Sequence, residues 1–263
     1  MIAVSELTIY PVKSAAGLAL QTSALDRFGL EGDRRWLITS PGGYFITQRD
    51  EPRLALLQAT VMPDLLSLRL GEDTLQVPIP ESEAPERRVQ VWEDQVRARD
   101  AGEPAARWLS DRLGRDCRLV FMGDDAVRRV DGLYASEGET VSFADGFPLL
   151  LISQASLDDL NTRLLNPVPM NRFRPNIVVS GCEAFAEDGW LRVRIGDVEM
   201  TVAKPCSRCV IPSIDQDTAE RDPEINRVLA GYRRREGKVY FGQNLLYAGT
   251  GTVSVGDTVE VLE

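Results

Sequence analysis

Short apolar runs separated by glycine- and proline-bearing turns recur along most of this 263-residue chain, and few of them keep a helical period for long. That pattern predicts strands. Runs at 4–12, 18–25, 36–39, 44–47, 54–61, 65–70, 75–79, 89–92, 117–121, 148–152 and 177–179 read as β structure. Pro41-Gly42-Gly43 predicts a hairpin, and Gly71-Glu72-Asp73 a tight turn. Runs at 190–195 and 198–202 flank Gly196-Asp197, and runs at 252–255 and 258–262 flank Gly256-Asp257. Two such strand–turn–strand units predict a small, strongly curved barrel in the second half.

Three segments read as helices instead. In 104–113, Pro104 suits a first turn, Ala105, Trp108, Leu109 and Leu113 share a face, and Gly114 suits the stop. Ser156 with Asp159 forms a capping-box pattern ahead of Leu157, Leu160 and Leu164. Asp222-Pro223 caps a third helix with Ile225, Val228, Leu229 and Tyr232 on one side. The polar run 123–139 is poor in core residues and reads as a boundary. The expected fold is mainly β with a few helices (β/α+β), in two parts, 1–122 and 123–263.

Composition narrows the chemistry. The chain has no histidine, which removes Ser-His-Asp triads, Cys-His pairs, H-E-x-x-H zinc sites and histidine-ligated haem together. A formal charge of −10 argues against a nucleic-acid partner or an anionic membrane, although local arginine clusters can still grip a small anion. No P-loop pattern is present, and Gly249-Thr250-Gly251 lacks the third glycine of a dinucleotide fingerprint. The N-terminus has no basic leader and no window approaches the ~20 apolar residues of a membrane span, so a cytoplasmic location is expected.

The informative stretch is Lys204-Pro205-Cys206-Ser207-Arg208-Cys209. It holds two of the four cysteines with a cation between them, and a neighbouring cation lowers the pKa that must be crossed to form a thiolate. Placed after a strand, the pair is expected on a turn at a sheet edge, where ligand groups are displayed. In a reducing compartment C-x-x-C means metal or redox chemistry, and two half-buried packing thiols fit the bare motif equally well. Cys117 reads as core and Cys182 as a buried packing thiol.

Further blocks run through the chain in one order: Tyr10-Pro11-Val12-Lys13-Ser14, Asp33-Arg34, Gln48-Arg49-Asp50-Glu51-Pro52-Arg53-Leu54, Ser153-Gln154-Ala155-Ser156-Leu157, Asn171-Arg172-Phe173-Arg174-Pro175-Asn176-Ile177, the cysteine motif, Asp215-x-Asp217-Thr218, Phe241-Gly242-Gln243 and Val255-Gly256-Asp257. With these the chain resembles the MOSC-domain proteins that carry an N-terminal MOSC-associated β domain, and among them the amidoxime-reducing group and its bacterial relatives, which are molybdenum-cofactor enzymes. The resemblance implies a MOSC β-barrel over 123–263 and the associated β domain over 1–122, with 1–34 also contributing to the cofactor site. It implies Cys209 as the protein's ligand to molybdenum and Cys206 as the non-ligating first cysteine. Lys13, Ser14, Arg34, Arg174, Asn176, Ser207 and Arg208 would hold molybdopterin and its phosphate, with Gln243 near the same pocket. Asp215 would place water or protons near the metal, or stabilise its own loop.

The implied reaction is reduction of small N-hydroxylated compounds such as amidoximes and hydroxylamines, with electrons from a separate ferredoxin- or flavoprotein-type donor; no pyridoxal phosphate site is implied. Two other readings stand beside it. One is sulfur transfer or cofactor handling through a cysteine persulfide, and the other is a structural zinc site built from the four cysteines. The family often has small hydroxyl residues where Gly146-Phe147 stand here, so backbone contacts or a reshaped pocket are expected there. A C-terminal iron–sulfur domain and an N-terminal anchor, found in some relatives, are not expected here, since the last strand is read as ending just before Glu263 and the first as beginning almost at Met1.

Overall fold

The computed structural model describes residues 1–135 and 138–263. The first strand, Ala3–Ile9, shows how the barrel is specified. Val4, Leu7 and Ile9 turn inward, and the alternation slips by one residue between Val4 and Glu6, where the register against Ile177–Ser180 shifts through a bulge. Its neighbours build a nine-stranded sheet in the order Val259–Val261, Arg192–Ile195, Val198–Ser207, Lys238–Tyr247, Leu149–Ser153, Ile177–Ser180, Ala3–Ile9 and Leu18–Leu20, with Arg234–Arg235 paired on the side.

The sheet curls until its ends meet. Ala3 bridges Thr258, and the Val259 N–H donates to the Ile2 carbonyl at 2.9 Å. Inside lie Leu7, Ile9, Leu149, Leu151, Ile177, Val179, Val193, Ile195, Leu245 and Val253, an apolar filling. At about 1.5–3 kcal/mol for each large aliphatic side chain removed from water, this filling is the main drive for closure.

Among the described residues three α-helices flank the sheets: α1 (Glu103–Leu113), α2 (Gln154–Asn161) and α3 (Glu224–Tyr232). α2 supplies the crossover that the parallel pair Leu149–Ser153 and Ile177–Ser180 requires. Helices α2 and α3 cover the outer side of the barrel through Leu157, Leu160, Ile225 and Leu229, which meet the stacked rings of Phe173 and Phe241. α1 closes the other core, where Leu109 and Leu113 pack with Trp36, Leu54, Leu66 and Leu119. That unit combines a four-stranded sheet (Trp36–Thr39, Arg118–Phe121, Asp94–Asp100, Glu86–Val91) with the meander Gln58–Val61, Leu65–Leu70, Asp73–Pro78.

Several expectations change. The second cap belongs to Ser153, whose hydroxyl accepts the Ser156 N–H at 3.1 Å; Ser156 lies inside α2 and donates to buried Glu187 at 2.8 Å. Gly196-Asp197 does join a hairpin, but Gly256-Asp257 does not. Gly251–Ser254 pairs with Thr22–Asp26, while Val259–Val261 pairs with Arg192–Ile195. Residues 54–61 begin as the 3-10 helix Pro52–Leu56, capped by Glu51, before the strand Gln58–Val61. In 44–47 only isolated bridges form, such as Phe45 to Thr39.

The run 18–25 splits between two sheets as Leu18–Leu20 and Thr22–Asp26. Ala3–Ile9 and Thr22–Asp26 thus pair with elements of the second half, although the chain reaches the N-terminal unit only afterwards. Two long strands were not anticipated: Asp94–Asp100, although Val96 and Ala98 alternate inward against Arg97 and Arg99, and Lys238–Tyr247, which carries no clear alternation signal in the sequence. Among the described residues no helix is long and apolar enough to cross a membrane.

Gly242 marks a close approach in the barrel wall. Its φ is +81°, and a Cβ there would lie 2.6 Å from Ile152 Cγ1 and 2.8 Å from the Leu151 carbonyl oxygen. Gly242→Ala should therefore lower stability by about 1–3 kcal/mol, from backbone strain and overpacking, measured as a shift of the denaturant midpoint at constant slope.

Candidate functional site

The cysteine motif ends a strand rather than forming a turn. Val198–Ser207 includes Cys206, and its register against Lys238–Tyr247 shifts on either side of Pro205, which has no N–H to give to the ladder. Arg208 N–H still reaches the Val239 carbonyl at 2.7 Å; Cys209 then lies free of the sheet and exposed. Two contacts hold it. The Ile211 N–H points at its sulfur at 3.5 Å, and Asn226 Nδ2 of α3 donates to its carbonyl at 3.0 Å. Cys206 is half-buried against the Phe173 cluster, and burial pushes its thiol up, which keeps it protonated.

Beneath Cys209 lies a cavity of 120 Å³ walled by both parts of the fold. Six cations face it, Lys13, Arg34, Arg49, Arg172, Arg174 and Arg208, against one carboxylate, Asp145. The backbone is forced locally: Ser14, Arg34 and Arg174 have φ of 67°, 48° and 56°, a region costly for residues with a Cβ.

Tyr10 is the hub beneath this wall. Its buried ring meets the Arg34 guanidinium at 4.5 Å and that of Arg174 at 4.1 Å. Burial pushes its phenol up to about 12 against the pull of both cations. Arg34 is neutralised by buried Asp33 at 2.5 Å and donates to Asn176 Oδ1 at 2.8 Å. Asn176 also accepts the Leu150 N–H and donates to the Thr8 carbonyl, so its amide ties three segments to Arg34.

Arg174 pairs with no carboxylate among the described residues. Its polar contact is Gln216 Oε1 at 3.2 Å, and burial above all, with the like charge of Arg34 behind it, pushes the guanidinium down to about 10. Arg208 donates to the Phe241 and Phe173 carbonyls but leaves a buried Nη2 without a partner. Buried donors without acceptors are costly, and an anion in the cavity would satisfy them.

Lys13 is 5% exposed and donates to Asp145 Oδ1 at 2.5 Å. Burial pushes its ammonium down to about 8 in spite of that carboxylate. Asp145 lies between the cleft walls with its side chain still 66% accessible. Burial alone would raise its carboxyl, but Lys13, with Arg49 and Arg34 behind it, holds it well below the ordinary 3.8. Around Cys209 the cavity opens into an outer cleft of 700 Å³, which shares Arg49, Asp145, Arg208 and Asn244 and adds Trp92, Glu93, Arg129 and Lys204.

Residues 1–116 match the family described as MOSC N-terminal beta barrel domain, and residues 138–260 match the MOSC domain. Mouse mitochondrial amidoxime-reducing component 1 is 37% identical, with 98% of this chain and 82% of that protein aligned; the human protein of the same name is 35% identical over the same shares. This chain belongs to the amidoxime-reducing component family of MOSC proteins. A rice protein named molybdenum cofactor sulfurase is 32% identical over 92% of this chain and 32% of its own length.

In this MOSC protein the cavity gathers Lys13, Ser14, Arg34, Arg174, Asn176, Ser207, Arg208 and Cys209 from four separate stretches of sequence. Asp215 and Gln243 stand outside its lining. Asp215 pairs with Arg172 at 2.7 Å and accepts the Asp217 and Thr218 N–H groups, each at 2.9 Å, so its carboxylate braces the loop after Cys209. Gln243 donates to Asp188 at 2.7 Å on the far side of its strand, and the next residue, Asn244, faces the cavity, as the two-residue alternation of a strand dictates.

Sequence reasoning missed Asp145, Arg49 and Arg172. Asp145 precedes the Gly146-Phe147 pair, and that position was its only signal. Cys117 is buried beside Ser110 and Cys182 packs against the barrel core. Among the described residues no three of His, Cys, Asp and Glu converge, so the four-cysteine zinc site is not built.

The cost of Lys13 is measurable. Unfolded, it holds its proton to the ordinary 10.5, and folded only to about 8, so the unfolded state binds more protons between these values and stability rises with pH there. Relative to Lys13→Met, the wild type should therefore gain stability between pH 8 and 10.5 and gain none from this group below pH 8. Denaturant titrations of both proteins across that range check this.

Proposed function

We propose that this MOSC protein is a molybdenum-cofactor-dependent reductase of N-hydroxylated compounds, converting amidoximes and hydroxylamines to the amidine or amine and water with two protons and two electrons. The observation that carries the reading is a buried, under-neutralised cationic cavity opening directly beside an exposed thiol. Arg174 without a carboxylate and Arg208 with an unpartnered Nη2 fit the phosphate of a pterin cofactor. Cys209 fits a metal that prefers soft sulfur and receives its remaining sulfurs from the cofactor's dithiolene.

When bound, the molybdenum cofactor supplies the two-electron redox chemistry that no side chain of this chain can supply. The remaining work falls to the protein. Lys13, Ser14, Arg34, Arg174, Ser207 and Arg208 bind the phosphate end, and Asn176 orients Arg34. Cys209 gives the thiolate, with the Ile211 N–H directed at its sulfur. Asp145 stays ionised, and Lys13, with its ammonium at about 8, holds a proton at Nζ beside it, close to the ordinary working pH. Asp215 acts through Arg172 as a brace for the Cys209 loop. Electrons come from a separate donor protein of ferredoxin or flavoprotein type.

Likeness to the rice sulfurase favours a second reading, in which Cys209 carries a persulfide to a cofactor held in the same cavity. Protein made in a cofactor-competent host separates the two. Molybdenum with pterin fluorescence and reduction of an amidoxime supports the reductase, whereas cyanide-labile sulfur without metal overturns it in favour of sulfur transfer.

Cys209→Ser should abolish amidoxime reduction while retaining pterin, because the phosphate contacts lie elsewhere. Cys206→Ser should keep molybdenum and measurable activity. The reverse pattern would reassign the ligand. Arg174→Ala should lower pterin affinity about tenfold or more, the worth of one charge-assisted hydrogen bond, with the melting temperature of the cofactor-free protein held or raised. Pterin content after dialysis is the readout.

A further inference from the structure

The outer cleft carries an aromatic residue that neither the cationic cavity nor the thiol explains. Trp92 occupies the tip of the hairpin between Glu86–Val91 and Asp94–Asp100, in a two-residue turn bounded by the pair Val91 and Asp94. Its φ is +56°. Turns of this length take positive φ most readily at glycine or asparagine, and a bulky side chain there is strained.

The strain is held by four contacts. Gln90 Nε2 donates to the Trp92 carbonyl at 2.9 Å. The Arg49 guanidinium stacks on the indole at 4.4 Å, and the Phe45 ring meets it edge-on at 5.2 Å. The indole Nε1–H points at Asp145 Oδ1 at 3.3 Å. Even so, Trp92 remains 42% exposed, on the same cleft wall system as Cys209 and Asp145. A large aromatic residue placed in a costly conformation, fixed in orientation and left open to a cleft is an arrangement suited to receiving a flat group.

We infer that Trp92 is a specificity-determining residue: its open indole surface stacks against the planar ring of an aromatic or heteroaromatic N-hydroxylated substrate while the N–OH group faces Asp145 and Cys209. The inference rests on the proposed reductase activity. Arg49, already stacked on the indole, makes one surface unavailable and fixes the ring so that little freedom is lost on binding. An aliphatic substrate of the same head group reaches Asp145 but gains nothing from the indole.

The test uses cofactor-loaded protein with benzamidoxime and acetamidoxime as probes. Trp92→Gly deletes the ring and suits the +56° backbone, and Trp92→Phe keeps a stacking surface but loses the Nε1 donor. The ratio of kcat/KM for benzamidoxime over acetamidoxime should fall about three- to tenfold in Trp92→Gly, mostly through KM, and Trp92→Phe should restore most of it. Quenching of indole fluorescence by benzamidoxime, present in the wild type and absent in both variants, provides a readout independent of turnover.

An unchanged ratio in Trp92→Gly overturns the inference. A Phe variant as impaired as the Gly variant also overturns it and assigns the effect to the Asp145 hydrogen bond. If neither probe is turned over by the wild type, the reductase reading fails, and the quenching experiment still decides whether Trp92 receives a flat ligand.

Discussion

Two guanidiniums against one buried phenol organise the molecule's working face. The ring of Tyr10 meets both Arg34 and Arg174, and among the described residues only Arg34 has a carboxylate, Asp33, to balance it. An aromatic surface attracts a cation but does not neutralise it, so Arg174 keeps an unmet demand for an anion. Asp33 further accepts the Tyr10 N–H at 2.7 Å, and the Tyr10 hydroxyl donates to the Pro175 carbonyl at 3.0 Å. Ring, cations and carboxylate thus fix residues 10, 33, 34, 174 and 175 as one rigid block, and the cavity inherits its shape from that block.

The block exists because the chain crosses between its two units early. Strands within residues 3–30 pair with the barrel, and residues from Trp36 onward build the second sheet. Lys13, Ser14 and Arg34 sit where the chain passes from one to the other, and the strained φ values of Ser14 and Arg34 belong to that passage. A site at such a seam can receive side chains from both units, which is how Trp92 and Arg49 come to face Cys209.

The same face is a stability liability. Lys13 is buried at the cost of a depressed ammonium, and among the described residues Arg174 has no carboxylate partner while Arg208 and Arg172 each leave a buried nitrogen unpartnered. The apolar filling of the barrel and the cluster around Phe173 and Phe241 offset this. Proteins commonly accept strain and unpaired charge where ligands bind, since a bound group restores the missing partners.

The β character and the three helices were legible in the sequence because alternation and turn residues are local signals; the barrel was expected from two strand–turn–strand units, of which only the one at Gly196-Asp197 forms. Legible too was the cationic and cysteine chemistry, which motif blocks mark by residue type. Tertiary structure decided the rest. Lys238–Tyr247 is buried on both sides over much of its length and so shows no alternation, and Gly256-Asp257 joins strands whose partners lie far away in sequence. Asp215 and Gln243 share motif blocks with the site, yet one braces a loop and the other faces away from the cavity, because side-chain direction follows from strand register and from the turn in which a residue sits. Trp92 is marked by no motif, and Asp145 only by its place before Gly146-Phe147. Their place beside Cys209 depends on how the two sheets and the loop before Leu149 meet, and only long-range packing determines that.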